Sequence, residues 1–248
     1  MGPTDRVNEQ RLYRDLAWTF PIISPLGLYV DECAAIRAAL TQHSARPVES
    51  LLHLGSGGGH GDHFFKEFAR VTGLDLSPEM IGLARRLNPE CEYRLGDMTR
   101  TRLGRTFSGV VITDALDYML TLGDLRAVFA TGQAHLDPGG VLVTYFNVTK
   151  ETFQQDRVTQ ATHALPDGSL TFIEHFHDPD PADTTYDMVL ISLIRRQGRL
   201  KIETDHHLNG VFEADDIREC IHSAGLTLVE WRPESFGILV AAVRPGER

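Results

Sequence analysis

The chain has 248 residues, of which 42% are hydrophobic and 23% charged, enough apolar material for one well-packed α/β domain. Its formal net charge of −10 repels a phosphate backbone at long range, which disfavours a nucleic-acid substrate. The sequence shows neither a long apolar stretch nor a basic segment leading into an apolar one, so neither membrane insertion nor secretion is expected. The three cysteines, Cys33, Cys91 and Cys220, lack C-x-x-C spacing, which favours reduced thiols and a cytoplasmic location.

Residues 1–47 are expected to form an N-terminal helical cap. Leu12, Leu16 and Phe20 recur at helical spacing, and two prolines interrupt the pattern before it resumes near residue 36. The segment is therefore interpreted as a lid on the main domain, which is expected to span residues 48–248.

From residue 48 to residue 146, apolar runs alternate with helical stretches. The expected strands are 50–54, 71–76, 91–95, 108–113 and 140–146, and the expected helices are 62–69, 78–87 and 123–135. The pair Ser77-Pro78 is typical of a helix start. This alternation predicts an α/β fold with parallel strands joined by right-handed crossovers.

Residues 150–210 break this alternation with successive strand-like runs. The expected strands are 170–177, 186–195 and 199–208, and Gln197-Gly198 is a plausible tight turn between the last two. We therefore expect an antiparallel β insertion. A last helix from Phe212 to Ala224, stopped by Gly225, and two closing strands at 226–231 and 236–243 complete the chain.

The most informative segment is the glycine turn that follows the first expected strand. Gly55, Gly57 and Gly59 let the backbone bend sharply and approach a ligand closely, and Asp75 lies 20 residues after Gly55, at the end of the second strand. A dinucleotide fingerprint needs glycine where the chain has His60, and no Gly-Lys-Ser/Thr of a P-loop is present. A nucleoside-type cofactor with its ribose held by Asp75 is the remaining interpretation.

These motifs resemble those of the class I S-adenosylmethionine-dependent methyltransferases. The resemblance covers about residues 50 to 145 and includes the G-x-G-x-G turn, the run Val71 to Met80, Gly96-Asp97-Met98 and Leu136 to Leu142. The helical lid and the antiparallel insertion between the fifth strand and the last helix further resemble the desosamine-type amino-sugar N,N-dimethyltransferases and glycine N-methyltransferase-like small-molecule enzymes. The resemblance implies a Rossmann-like class I methyltransferase sheet.

The resemblance also implies which residues hold S-adenosylmethionine, with S-adenosylhomocysteine as the product. The turn of Gly55, Ser56 and Gly57 would lie under the methionine and ribose, and Asp75 would accept hydrogen bonds from the ribose hydroxyls. The remaining expected contacts are Leu76 and Met80 beside the adenine, Asp97 at its amino group, Met98 against the ring, Thr113 at the methionine end, and Tyr13 and Tyr29 as lid aromatics. Packing within the N-terminal helices is an equally good explanation of the two tyrosines.

One position departs from this pattern. His53 stands where many relatives carry an acid near the cofactor's amino group, so that contact is in question while the cofactor itself is not.

The acceptor side is less defined by sequence. Tyr118, Asp114 and His207 are the expected catalytic residues. An amine must lose a proton before attack, and a carboxylate or an imidazole can receive it. Tyr118 is included because it follows the fourth strand into the crevice. Further candidates for the substrate pocket are Trp18, Asn147, His175, His177 and His206. The spacing of His175 and His177 supplies two ligands at most, so no metal is expected.

We therefore predict an enzyme that methylates a small molecule, with an amine nitrogen as the first choice of acceptor. A hydroxyl or carboxylate acceptor is the alternative within the same class, and a cofactor-binding protein without methyl transfer is the alternative outside it. The expected partner is a small-molecule substrate, without nucleic acid or membrane, and a homodimer is left open.

Overall fold

The computed structural model of the chain describes residues 8–246. Its strands are β1 Ser50–Leu54, β2 Arg70–Asp75, β3 Glu92–Leu95, β4 Phe107–Ile112, β5 Leu136–Phe146, β6 Arg157–Leu165, β7 Gly168–His177, β8 Thr185–Arg196, β9 Arg199–Gly210, β10 Thr227–Glu234 and β11 Gly237–Val243. Its helices are α1 Phe20–Ile23, α2 Val30–His43, α3 His60–Phe65, α4 Pro78–Leu87, α5 Leu122–Ala134 and α6 Ala214–Ser223, with 3-10 turns at Arg11–Tyr13, Ala17–Thr19, Leu26–Tyr29 and Leu116–Tyr118.

Seven strands form the main sheet in the order β10-β11-β5-β4-β1-β2-β3. The strands β1 to β5 pair in parallel, whereas β11 is antiparallel to both β5 and β10. The predicted α/β fold with a largely parallel sheet is confirmed. Because parallel strands need crossovers, α3, α4 and α5 each connect one strand to a later one and cover the sheet.

The core has two layers because successive strand residues face opposite sides of the sheet. Leu52 and Val110 pack on the side covered by α5 and α6, whereas Leu51 and Val111 pack with Leu40 of α2 on the other. Because β1, β2 and β4 pair in parallel, their carboxyl ends lie along the same edge of the sheet.

A second sheet of four antiparallel strands, in the order β6-β7-β8-β9, forms the insertion between β5 and α6. Three strand-like runs were predicted there, and the structure adds β6. Most residues of this edge strand are exposed, so it lacks the apolar alternation by which a strand is recognised. The predicted tight turn has positive φ at Gln197 and Gly198, 49° and 75°.

The remaining differences lie at element ends. The helix predicted at 62–69 spans His60–Phe65, β5 begins at Leu136 instead of residue 140, and the last helix is shorter than predicted. Strand β5 gains its first residues through an irregular pairing in which Leu136 lies opposite Phe107 and the register then shifts. Residues 1–7 of the expected cap and residues 247–248 lie outside the described part. No helix within residues 8–246 is long and apolar enough to cross a membrane.

Candidate active site

The glycine turn after β1 forms the floor of a large cleft. The amides of Gly55 and Ser56 both donate to the carbonyl of Leu74, at 2.8 and 3.0 Å, which joins the turn to the end of β2. Gly55 has φ +70°, and a Cβ built there would overlap the Cβ of Ala115. Glycine is therefore required at this position both for its backbone angle and for the close approach of the chain.

Asp75 connects this turn to the start of α4. One carboxylate oxygen accepts from the amide of Gly57 and the other from the amide of Ser77, both at 2.8 Å. A carboxylate offers about four acceptor positions, so about two remain for a diol. Burial raises the pKa of Asp75, an effect that the two amide hydrogen bonds oppose.

The other expected cofactor residues also line the cleft. Met80 is fully buried beneath Gly57, whereas Leu76 is exposed at the rim. One oxygen of Asp97 accepts from the amide and hydroxyl of Thr99, at 2.9 and 2.7 Å. Burial alone would raise the pKa of Asp97, but these hydrogen bonds hold it below its ordinary value. Met98 lies beside the glycine turn.

His53 belongs to a buried polar network beneath the cleft. Its Nδ1 lies 2.7 Å from Asp62 and its Nε2 lies 2.9 Å from the hydroxyl of Thr113. Asp62 also accepts from the hydroxyl of Tyr93 at 2.9 Å, and Asn88 donates to the carbonyl of Gly59 at 2.8 Å. His53 therefore holds the hydroxyl of Thr113 at the end of β4. Its other partner, Asp62, is the buried carboxylate of this network. Sequence reasoning missed Asp62, because its partners lie on other elements.

Two carboxylates follow β4 and are bridged by one amide. Asn147 donates to Asp114 at 2.9 Å and to Asp117 at 3.0 Å. Asp114 has φ +49°, which is uncommon for a residue other than glycine. Burial raises the pKa of Asp117 to about 7, with the hydrogen bond from Asn147 opposing this and the charge of Asp114 adding to it.

A chain of four polar side chains connects the N-terminal segment to the second sheet. The hydroxyls of Tyr13 and Tyr118 are 2.6 Å apart, and the Tyr118 hydroxyl is 2.9 Å from Nδ1 of His207. Nε2 of His207 lies 2.7 Å from Asp205. Tyr13 and Tyr118 line the cleft, whereas His207 is buried behind Tyr118. Asp205 was not predicted, although its position two residues before His207 places both side chains on one face of β9.

Tyr29 also lines the cleft. Its hydroxyl is 2.7 Å from that of Ser24, and its ring lies 5.3 Å from the ring of His60. Phe20 packs edge-on against His60 at 5.0 Å, close to Gly58. The N-terminal segment therefore covers the glycine turn with aromatic rings.

The cleft is one continuous cavity of about 1530 Å³ that reaches under the second sheet. Sequence reasoning did not name the side chains that this sheet contributes to the cavity, because β6 was not predicted and the alternation along the other three strands does not show which face meets the cleft. They include Arg157, Gln160, Glu174, Phe176, Tyr186, Met188 and Asn209.

The other predicted candidates lie elsewhere. Trp18 packs against the guanidinium of Arg196, and His175 and His177 both lie near Asp156 on the outer part of the insertion. The backbone carbonyl of His206 accepts from the amide of Glu9 at 2.7 Å. Within residues 8–246 no group of three or more His, Cys, Asp or Glu side chains is placed to hold a metal.

The fold and the cleft together define an α/β enzyme that binds a nucleoside cofactor. The residues fit S-adenosylmethionine: a glycine turn that excludes any Cβ, a carboxylate with acceptor positions left for a ribose, and a buried Ser56 hydroxyl without a hydrogen-bond partner among the described residues.

Comparisons with known proteins agree with this class. Residues 51–140 match the family model described as a methyltransferase domain. The chain is 31% identical over 229 residues to a dTDP-3-amino-3,4,6-trideoxy-alpha-D-glucopyranose N,N-dimethyltransferase of Streptomyces venezuelae, covering 86% of this chain and 90% of that protein. It is 29% identical over 207 residues to a dTDP-3-amino-3,6-dideoxy-alpha-D-glucopyranose N,N-dimethyltransferase of Streptomyces fradiae, covering 83% and 80%.

Solved structures share the fold. Streptomyces venezuelae DesVI superposes with a TM-score of 0.80 at 24% identity, covering 97% of this chain and all of that one. The sugar N-methyltransferase KedS8 from Streptoalloteichus gives a TM-score of 0.81 at 21% identity, covering 97% and 95%.

The chain belongs to the class I S-adenosylmethionine-dependent methyltransferases, in the family of the amino-sugar N,N-dimethyltransferases. It is an enzyme that transfers methyl groups from S-adenosylmethionine. The sequence-based predictions of fold, cofactor and reaction are confirmed.

Proposed function

We propose that the chain methylates the amino group of a dTDP-linked amino sugar, in two successive rounds. The two relatives that cover most of the chain are both named for N,N-dimethylation of a dTDP-3-amino sugar. Two rounds require that the singly methylated amine lose a proton and return to the same position.

The observation that carries the proposal is the single cavity that joins the glycine turn to the second sheet. At about 1530 Å³ it exceeds the roughly 300–1,000 Å³ of a pocket for one small ligand. The excess is room for an acceptor of sugar-nucleotide size beside the cofactor.

The cofactor residues take the roles predicted from sequence. In this proposal Gly55, Ser56 and Gly57 support the methionine and ribose, and Asp75 accepts from the ribose hydroxyls. The adenine lies among Leu76, Met80, Asp97 and Met98, and the methionine end lies near Thr113, Tyr13 and Tyr29. When bound, S-adenosylmethionine supplies an activated methyl on a sulfonium, and orienting a nucleophile toward such a group lowers a barrier by roughly 7–11 kcal/mol.

The acceptor side combines acidic and basic groups. Asp114 and Asp117, bridged by Asn147, attract an ammonium group to the end of β4. Arg157 and Arg14 line the cavity and are suited to a diphosphate. The side-chain oxygen of Asn209, buried without a hydrogen-bond partner among the described residues, is available to a sugar hydroxyl.

The test is an incubation of the purified chain with S-adenosylmethionine and each of several dTDP-3-amino and dTDP-4-amino sugars. We expect S-adenosylhomocysteine to accumulate with at least one of them, and the sugar nucleotide to gain one and then two methyl groups by mass spectrometry. Tight cofactor binding without methylation of any amino sugar would contradict the proposal.

Oxygen methylation is the alternative acceptor chemistry. A malonyl-[acyl-carrier protein] O-methyltransferase of Serratia marcescens is 33% identical, but over 106 residues that cover only 40% of this chain. Parallel assays with the corresponding hydroxy sugars and with free carboxylates separate this alternative from N-methylation.

We further propose that the chain acts without nucleic acid, in the cytoplasm, with residues 1–47 as a cap on the domain of residues 48–248. The oligomeric state, which the sequence left open between a monomer and a homodimer, is tested by sedimentation equilibrium at several protein concentrations.

A further inference from the structure

We propose that Tyr13, Tyr118 and His207 form a proton relay that removes a proton from the acceptor amine, and that Asp205 is the positioning residue that sets its direction. The inference rests on the proposed function, since it assigns the path by which an amino substrate becomes nucleophilic. Asp205 is not among the catalytic residues expected from the sequence.

The direction of the hydrogen bonds follows from Asp205. One of its oxygens accepts from the amide of Leu12 at 2.6 Å and the other from the amide of Arg11 at 2.8 Å. Burial alone would raise the pKa of Asp205, but the hydrogen bond from His207 and these two amides hold it below its ordinary value. Asp205 is therefore an ionised carboxylate that only accepts.

Because Asp205 can only accept, Nε2 of His207 must donate the hydrogen bond that joins the two side chains. In the neutral imidazole Nδ1 is then an acceptor, so the hydroxyl of Tyr118 donates to it at 2.9 Å. The oxygen of Tyr118 in turn accepts from the hydroxyl of Tyr13 at 2.6 Å. The oxygen of Tyr13 is left with a free acceptor position at the cavity wall.

This order of donors and acceptors allows a proton to pass from the substrate to His207 with every proton accounted for. An ammonium group of the substrate gives its proton to the oxygen of Tyr13, Tyr13 passes its own proton to Tyr118, and Tyr118 passes its own to Nδ1 of His207. The imidazolium that results is paired with Asp205, and both tyrosines end neutral. The amine then has a free lone pair, which forms the new N–C bond as the S–CH₃ bond breaks.

The surroundings favour transfer through neutral hydroxyls. Burial is the main cause that raises the pKa of both Tyr13 and Tyr118, so neither forms a phenolate. The titratable groups that act on them are Asp75, Asp114, Asp117, Tyr186 and Asp205, from β2, the loop after β4, β8 and β9.

The anchoring bonds of Asp205 also hold the lid. Residues 11 and 12 precede Tyr13 directly, and the carbonyl of Tyr13 accepts from the hydroxyl of Ser77 at 2.5 Å. Asp205 therefore positions Tyr13 through the backbone as well as through the relay.

The kinetic test compares His207→Asn with the exposed control His222→Asn over a range of pH. Asparagine keeps an acceptor near the position of Nδ1 but cannot take the proton. We expect kcat to fall about 10²-fold near pH 7, the scale of general base catalysis. The loss should shrink to about threefold or less at roughly pH 10, where about half of an amine with a pKa near 10 is already neutral.

A purely structural role of His207 would lower kcat equally at all pH values, and that result would overturn the relay. Tyr118→Phe is the second variant, because it leaves the pair of His207 and Asp205 intact. It should show the same recovery at high pH with unchanged affinity for S-adenosylmethionine, and full activity of this variant near neutral pH would equally overturn the relay.

The second test does not depend on turnover. Nitrogen NMR of the ¹⁵N-histidine-labelled chain should show His207 neutral and protonated at Nε2, with the signal assigned by its loss in His207→Asn. Protonation at Nδ1 instead would overturn the relay. If the wild-type chain methylates no amine while the Nε2 form is observed, the proposed function fails and the hydrogen-bond order stands.

Discussion

Asp75 shows how one side chain serves both the fold and the site. Its carboxylate closes the glycine turn through Gly57 and the first turn of α4 through Ser77. The same group retains acceptor positions toward the cleft, where the ribose of the cofactor is expected. A substitution therefore affects binding more than folding, because both backbone hydrogen bonds are only partly buried.

We predict that Asp75→Ala weakens binding of S-adenosylmethionine about 10- to 150-fold, since hydrogen bonds to a charged group contribute roughly 1.5–3 kcal/mol. Isothermal titration calorimetry measures the effect. Asp215→Ala, which removes an exposed carboxylate at the start of α6, is the control and should bind normally. An unchanged dissociation constant for Asp75→Ala would show that the ribose lies elsewhere.

The edge strand β6 determines what the second sheet can recognise. It pairs only with β7, and Arg157 at its start lies over the ring of Phe176 at 4.0 Å. Stacking on an aromatic ring restrains the guanidinium, and the planar fork that remains suits a phosphate. The strand therefore brings a positive charge to a cavity whose other half is acidic.

We predict that Arg157→Gln raises KM for a dTDP-amino sugar about 10- to 150-fold, as expected for the loss of hydrogen bonds to a charged phosphate. The dissociation constant of S-adenosylmethionine should not change. Steady-state kinetics with the sugar nucleotide varied provides the measurement. Arg199→Gln, at the exposed turn between β8 and β9, is the matched control. Equal KM values for the two variants would place the diphosphate outside the reach of Arg157.

The stability of the protein depends on carboxylates buried within it. Burial raises the pKa of Asp117 from 3.8 to about 7 and that of Glu32 from 4.5 to about 8. Both groups therefore bind a proton more tightly in the folded chain than in the unfolded one. Stability is highest below the unfolded pKa, falls as pH rises, and levels off above the folded pKa.

We predict that the melting temperature declines between about pH 4 and about pH 8, through the window set by these two groups. Asp117→Asn keeps an acceptor for Asn147 and should stabilise the chain at the upper end of this window, by on the order of 3 kcal/mol or several °C. Thermal melts across this range measure the slope. Asp215→Asn should leave the slope unchanged, and a slope equally steep in Asp117→Asn would contradict the assignment.

Much of the cofactor half could be predicted from sequence. Gly55, Gly57 and Asp75 lie within one strand-helix-strand unit, where the spacing along the chain sets their distance in space. The alternation of apolar runs and helical stretches predicted a parallel sheet for a similar reason, since each run carries its own signal.

The acceptor half depends on contacts between distant parts of the chain. Asp205 meets residues 11 and 12 from 193 or more positions away, and His207 meets Tyr118 across 89 positions. No local pattern encodes such distances, because they arise only when the second sheet packs against the N-terminal segment. Periodicity also failed at β6, whose exposed side chains carry no apolar signal.

The amino-acid sequence by itself thus determined the cofactor and the class of reaction, because both depend on a short segment whose geometry is local. Only the tertiary structure decided which groups line the rest of the cleft. Their hydrogen bonds join separate elements, and hydrogen bonds form only when packing brings the donor and acceptor within about 3 Å.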